Sequence, residues 1–237
     1  MVPSIPMNNQ QSVEIKVLEV MRLLKLLGIA VLIAAGVYGA VAWKKSNDQE
    51  NAVQGFEALF EVEKMEQKAL KEAQLTSTNP LEVFKTWPDA EKKKYLDLLA
   101  EVPAKFPETS AGAIAGLKIA RWHFEEKNYE KAIEAYKAIL DGAAAKKFPL
   151  YAALSAEGIG TSYESLLKYD QALASFENSL KAKSNPLKPL AYLGKARNQK
   201  ALGKIDDAKK TYEALIGEFP ATPYEKKARV LMETLSL

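Results

Sequence analysis

The chain has 237 residues, with 33 basic against 30 acidic side chains and no cysteine. The near balance of charge argues against nucleic-acid binding, which normally requires a basic face, and the absence of thiols excludes disulfides, zinc–cysteine sites and a cysteine nucleophile. With 48% apolar and 27% charged residues, the composition predicts one folded domain with an appendage and not a disordered chain.

The first predicted element is a transmembrane helix at 26–43, preceded by an N-terminal arm at 1–25. Residues 26–43 carry no charge, and as a helix they would extend about 27 Å, enough to cross the hydrocarbon core of a bilayer. A cleaved signal peptide is an alternative, because residues 40–42 (AVA) resemble a cleavage site, and a buried soluble helix is another. The long flank with Glu14 and Glu19 favours the uncleaved anchor, since signal peptides begin with short basic segments.

The distribution of basic residues around this segment indicates its orientation only weakly. Three basic residues precede it and two follow it closely: Lys16, Arg22 and Lys25, then Lys44 and Lys45. This bias slightly favours a cytoplasmic N-terminus. A membrane-tethered adaptor in the cytosol therefore stays open as an alternative.

Residues 48–107 are predicted to form a helical linker and a partial repeat. The stretch 48–74 carries an apolar stripe at helical spacing, formed by Ala52, Phe56, Leu59 and Phe60, and this pattern predicts a long helix. The turn-forming residues at 75–89 predict a loop. A further helix is expected from Pro88 to Val102, ended by Pro103, because proline interrupts helical hydrogen bonding.

Three aligned blocks dominate residues 108–237, where we predict repeats and a C-terminal capping helix. Superimposing 127–140, 168–180 and 203–216 aligns small residues in two columns and an aromatic residue in a third: Ala120, Gly160 and Ala196; Ala132, Ala172 and Ala208; Tyr136, Phe176 and Tyr212. The small residues would let antiparallel helices approach closely, and the ring would fill the gap between successive pairs. The blocks resemble tetratricopeptide repeats, whose period is ~34 residues.

The predicted fold is all-α, with a single N-terminal transmembrane helix followed by a tetratricopeptide-type solenoid of helical hairpins. The predicted helix pairs are 110–126 with 129–142, 149–167 with 170–182, and 187–202 with 205–217, and a capping helix follows from Pro223. In such a solenoid, the first helix of each pair lines a concave surface.

The sequence offers no pattern for catalysis or for a cofactor. His123 is the only histidine, and a single histidine without cysteine cannot build a zinc site, so a ring packed inside the repeat is the simpler interpretation. Gly158 and Gly160 lack the lysine of a phosphate-binding loop and are expected to serve close helix packing. We therefore expect no enzyme activity, no metal, no cofactor and no small-molecule substrate.

Protein binding on the concave surface is the more plausible function. The column spacing predicts that ten residues face inward: Leu117, Arg121, Phe124, Glu125, Glu157, Thr161, Glu164, Leu193, Arg197 and Lys200. Mixed charge with a few apolar positions fits an extended peptide or another protein's helix, although each position could also be an ordinary solvated helix residue. These residues differ from the lysine and asparagine clamp that some co-chaperones use for a C-terminal carboxylate.

Taken together, three segments resemble the YfgM-like family of ancillary SecYEG translocon subunits: 41–59, 110–136 and 191–216. The resemblance implies a bacterial inner-membrane anchor with the N-terminus in the cytoplasm and the repeats in the periplasm. It also implies protein partners, namely translocon subunits, periplasmic chaperones or exported chains. A scaffold of envelope or cell-division machinery, similar to Tol-Pal coordinators, is the alternative, although those proteins usually carry a coiled coil and 48–74 breaks heptad spacing after Phe60.

Overall fold

The computed structural model describes the backbone of residues 9–72, 87–182 and 184–235, and the side chains of the first helix from residue 35 to residue 71. Every regular element in these ranges is an α-helix. The helices are α1 (Asn9–Glu72), α2 (Asp89–Lys105), α3 (Ser110–Glu125), α4 (Tyr129–Asp141), α5 (Ala143–Lys147), α6 (Pro149–Ser165), α7 (Tyr169–Lys181), α8 (Lys188–Ala201), α9 (Ile205–Glu218) and α10 (Pro223–Glu233). The chain divides into two compact units, Met1–Glu50 and Asn51–Leu237.

The predicted membrane span, 26–43, is helical in its backbone as part of α1. Among the side chains that the structure describes, no helix is both long and apolar enough to cross a membrane. The first half of the predicted span lies outside those described side chains. The membrane anchor therefore stays a prediction.

The C-terminal part of α1 packs against α2 and α3, within the second unit. Its inward side chains include Leu59 and Val62, which are 3% and 1% exposed. They share one apolar core with Leu99 of α2 and Trp122 of α3. The segment predicted as a linker is thus part of a packed three-helix arrangement, which we call the N-terminal bundle.

Helix α2 continues past the residue that was predicted to end it. It runs from Asp89 through Pro103 to Lys105, so the predicted stop at Val102 is wrong. Proline removes only its own N–H, and the N–H of Phe106 still donates to the carbonyl of Val102 over 2.9 Å, which closes the last turn. Most of the loop predicted at 75–89 lies outside the described residues.

The three helix pairs and the final helix lie where the sequence predicts them, to within a few residues. Each pair turns in the same way: the backbone has positive φ at Lys127, Leu167 and Gly203. The next residue then donates its N–H to a carbonyl five residues back, as in Asn128 to His123 over 2.8 Å. This left-handed cap with its long hydrogen bond is the Schellman motif, and its recurrence at equivalent positions confirms the register of the repeats.

The small residues of the columns allow the helices of the repeats to pack closely. Ala120, Ala132, Ala172, Ala196 and Ala208 are all completely buried. A Cβ built on Gly160 or on Gly194 would lie 2.6 or 2.5 Å from the Phe176 ring, and one on Gly158 would lie 2.4 Å from the Tyr136 ring. The glycines therefore make room for the aromatic column, as the sequence predicts. The step from Ala132 to Ala172 is 40 residues, and the step from Ala172 to Ala208 is 36. Most of this difference arises because α6 has 17 residues and α8 has 14.

Candidate functional site

The predicted binding residues lie on the first helices of the three pairs. Helix α6 contacts both α3 and α8, so equivalent positions of these helices form rows across one surface, which we call the first-helix face. The rows are Leu117, Glu157 and Leu193; Arg121, Thr161 and Arg197; and Phe124, Glu164 and Lys200. Glu125 follows Phe124 on α3.

The first row lies closest to the core. Leu117 is half-buried, and Leu193 is only 4% exposed and packs in a core with residues of α9 and α10. Leu193 is therefore buried and does not lie on the surface where the sequence predicts it, because α9 packs against α8.

Glu157, in the same row, is half-buried, and burial raises the pKa of its carboxyl, opposed by the charge of Arg197. Within the described residues, its carboxylate makes no ion pair or side-chain hydrogen bond. Its backbone carbonyl accepts from the Thr161 hydroxyl over 2.9 Å. Glu157 is thus a poorly solvated acidic group without a fixed partner on this face.

One half of the face is held by a dense polar network. Arg197 donates two hydrogen bonds to Glu164, from Nε to Oε1 over 2.7 Å and from Nη2 to Oε2 over 2.6 Å. The Asn198 amide adds a bond to Glu164 Oε1 and another to the Gly194 carbonyl. A bidentate pair of this geometry fixes both side chains, so α6 and α8 present a pre-organised pair of charges.

The other half is less constrained. The Arg121 guanidinium lies 3.7 Å from the Glu125 carboxylate, and these side chains are 61% and 40% exposed. The Tyr136 hydroxyl lies among charges of both signs: burial raises its pKa, Arg121 opposes that shift, and Glu157 and Glu125 add to it. Long, exposed ion pairs are weak, so a partner could replace this one at little cost.

Two residues of the third row, Phe124 and Lys200, make contacts within the repeats. The Phe124 ring stacks edge-on against Tyr129, with centroids 5.3 Å apart, which supports the turn of the first pair. The Lys200 ammonium donates to the Thr234 carbonyl over 3.2 Å and so ties α8 to the residues after α10. Only Lys200 of these two is exposed.

Sequence reasoning missed Asn198, although it is completely buried and completes the Glu164 network. Its Oδ1 atom has no hydrogen-bond partner among the described residues. The available signal was an asparagine inside a helix next to an arginine of the predicted surface. A pairing between residues 34 positions apart is not visible without the fold.

Sequence reasoning also missed a cavity of 660 Å³ between α4, α6 and α7. Its floor is made of small side chains such as Ala153 and Ala156, and its rim carries Lys137, Gln171 and Asn178. None of the ten residues predicted to face the concave surface lines this cavity. The cavity is therefore separate from the first-helix face.

Two segments match the tetratricopeptide repeat family, residues 115–141 and 190–222. They cover the first and third helix pairs, and the middle pair has the same columns and the same positive-φ turn at Leu167. The helix pairs are tetratricopeptide-type repeats. No curated protein matches the sequence.

Tetratricopeptide-type repeats suggest a protein–protein interaction scaffold. Within the described residues, no three histidine, aspartate or glutamate side chains form a group that could hold a metal ion. His123 is half-buried, and burial lowers the pKa of its imidazole, with a smaller effect from Lys131. This placement agrees with a packing role for the ring.

Proposed function

We propose that this protein is a membrane-anchored scaffold that binds other proteins through the first-helix face. Tetratricopeptide-type repeats suggest a protein–protein interaction scaffold, and repeats of this kind are typically non-enzymatic. The partners we propose are Sec translocon subunits and the periplasmic chaperones that handle exported chains. The support for these partners is the resemblance of residues 41–59, 110–136 and 191–216 to the ancillary translocon subunit family.

The observation that carries the proposal is the unequal pairing of charges on the face. Glu164 and Arg197 are fixed in a bidentate pair, whereas the Glu157 carboxylate has no partner in the described residues. Arg121 is 61% exposed and lies 3.7 Å from the Glu125 carboxylate. Arginine is among the residue types that most often dominate the binding energy of an interface. The fixed pair would orient a partner, and the loosely held groups would exchange their contacts for contacts to it.

The proposed location is the periplasmic side of a bacterial inner membrane, with the N-terminus in the cytoplasm. Its support is the uncharged segment 26–43 with basic residues on both sides, together with the family resemblance. The repeats would then be tethered near the exit of the translocon. Tethering raises the effective concentration of a weak binding site, so moderate affinity is sufficient.

Site-specific crosslinking tests the proposal. A benzoylphenylalanine replacing Arg121 on the first-helix face should give adducts with translocon subunits or periplasmic chaperones in intact membranes. The same group at Lys210, an exposed position on α9, is the matched control and should give few adducts. Equal yields at the two positions would contradict the assignment of the face, and adducts with cytosolic proteins alone would contradict the proposed location.

A further inference from the structure

An exposed apolar groove lies on the N-terminal bundle. Val53, Phe56 and Phe60 of α1 form it together with Ile114 of α3, and its volume is 590 Å³. We call it the α1 groove. The sequence predicts one apolar stripe on this part of α1. In the structure, one part of the stripe is buried and the other part is exposed.

The division separates a buried half from an exposed half. Leu59 is 3% exposed and packs in the core of the N-terminal bundle. Val53, Phe56 and Phe60 are 58%, 48% and 52% exposed. Two half-exposed phenylalanine rings, one helical turn apart, leave apolar area in water, which is unfavourable. Patches of this kind on a folded surface mark interaction sites.

The charges around the groove identify the kind of partner. Among the described residues that line it, two are carboxylates, Glu57 and Glu63, and none is basic. The Glu63 carboxylate lies 3.8 Å from the ammonium of Lys118, which is held more closely by Glu66, at 2.8 Å. The Glu57 carboxylate has no partner in the described part of the chain. The groove is therefore apolar with a net negative rim.

The groove already accommodates a cation at one end. The Lys64 ammonium lies 4.8 Å from the centroid of the Phe60 ring and 2.6 Å from the Glu61 carboxylate. This arrangement combines a cation–π contact with an ion pair. A basic side chain from a partner could bind in the same way over Phe56, between the rings and the Glu57 carboxylate.

We propose that the α1 groove binds a basic amphipathic helix from a partner protein. The spacing of Val53, Phe56 and Phe60, at i, i+3 and i+7, matches the anchors of a helix lying along α1. From Ala52 to Glu63 the groove is about 16 Å long, which corresponds to three helical turns. Leucine or methionine side chains would fill the apolar floor, and flanking lysine or arginine residues would meet Glu57 and Glu63.

The same rim disfavours the two other candidate occupants. A second copy of this chain docked groove to groove would bring four carboxylates together. An anionic lipid surface would place phosphates against Glu57 and Glu63. Like charges at close range oppose both arrangements, whereas a basic helix neutralises them. This inference is independent of the function proposed for the first-helix face.

A synthetic peptide provides the test. The probe is a fluorescein-labelled helical peptide with leucines at i, i+3 and i+7 and lysines at the flanking positions, and its matched control carries glutamate in place of every lysine. The full-length chain is held in nanodiscs of neutral phosphatidylcholine, and empty discs give the background. The variants are Phe56→Ser with Phe60→Ser, Glu57→Gln with Glu63→Gln, and, as a distant apolar control, Leu167→Ser at a position 71% exposed.

We expect the lysine peptide to bind and the glutamate peptide not to bind. The double serine variant should weaken binding at least about tenfold, because aromatic anchors dominate such interfaces. The double glutamine variant should weaken it about threefold at low salt and have no effect at high salt, since exposed charges are screened. Leu167→Ser should leave binding unchanged, and circular dichroism should show equal helicity in all variants.

Each remaining outcome overturns the inference. Equal binding of the lysine and glutamate peptides would show that the rim charge does not select the occupant. Failure of the lysine peptide to bind above the empty-disc background would remove the groove as a helix site. Sedimentation showing dimers that the double serine variant abolishes would identify a second copy of the chain as the occupant.

Discussion

The N-terminal bundle and the repeats achieve close helix packing by different means. In the bundle, large side chains meet: Tyr95, Leu99 and Trp122 share a core, and the buried Glu66 carboxylate accepts from Tyr95 over 2.6 Å and from Lys118 over 2.8 Å. In the repeats, glycines and alanines let the helices approach until an aromatic ring fills the remaining gap. The bundle thus has a buried carboxylate network within its packing, whereas the repeats have aromatic rings that rest against glycines.

This difference determines how each region should respond to mutation. The bundle should be sensitive to the loss of a charge, because an ion pair with one member removed leaves a buried carboxylate without compensation. The repeats should be sensitive to added volume, because their packed rings have no space to move. Three predictions test this contrast.

The largest expected effect is in the bundle. Lys118→Met keeps the aliphatic stem but removes the ammonium that bonds both oxygens of Glu66, over 2.8 and 2.9 Å. Because Lys118 is partly exposed, we expect a loss of about 2–3 kcal/mol in the free energy of unfolding, measured with urea. Lys105→Met removes an exposed pair with Glu101 and should cost less than about 0.5 kcal/mol. Similar losses in the two variants would show that the buried network does not stabilise the bundle.

The next effect concerns volume in the repeats. Gly160→Ala and Gly194→Ala each place a methyl group 2.6 and 2.5 Å from the Phe176 ring, which is 1% exposed. Each should destabilise the protein by about 1–2 kcal/mol in spite of the better helix propensity of alanine. Gly217→Ala in α9 meets nothing within 4 Å and should stabilise by about 0.5–1 kcal/mol. A stabilising effect at all three glycines would contradict the packing assigned to the aromatic column.

The smallest effect is the pH dependence of Glu157. Burial raises the pKa of its carboxyl, so the folded protein binds this proton more tightly than the unfolded chain does, and stability is lost as the pH rises through that pKa. Glu157→Gln is neutral at every pH and should be more stable than the parent protein at pH 7. Thermal melting at pH 7 and near pH 4 measures this difference, which should vanish at the lower pH. If the stability difference between the variant and the parent protein were the same at both pH values, burial would not determine the pKa of the Glu157 carboxyl.

The sequence predicted the repeats better than the bundle for a physical reason. Repeats place equivalent residues at regular intervals, so Ala132, Ala172 and Ala208 are recognisable as one column in the chain itself. The positive φ at Lys127 and Leu167 was not predicted, because these turn positions carry no glycine. The bundle has no internal copy for comparison, and its contact between Glu66 and Lys118 joins residues 52 positions apart.

The candidate face was predicted in outline and corrected in detail. Column spacing placed Arg121 and Arg197 on exposed positions, since helical periodicity determines direction. It did not show that Leu193 is buried, because most of the residues that share its core come later in the chain, on α9 and α10. It also could not reveal that Glu164 and Arg197 satisfy each other, since such pairing depends on the distance between neighbouring helices.

The central claim, that partners bind the first-helix face, is tested most directly by exchanging its fixed charges. Glu164→Arg combined with Arg197→Glu keeps an ion pair between α6 and α8 but reverses its direction, and the unpaired Oδ1 atom of Asn198 offers the new arginine an acceptor. We predict unchanged melting and a fall of about tenfold in the crosslinks formed from position 121, because charge complementarity selects partners. Crosslinks at the original yield in the exchanged protein would contradict the claim.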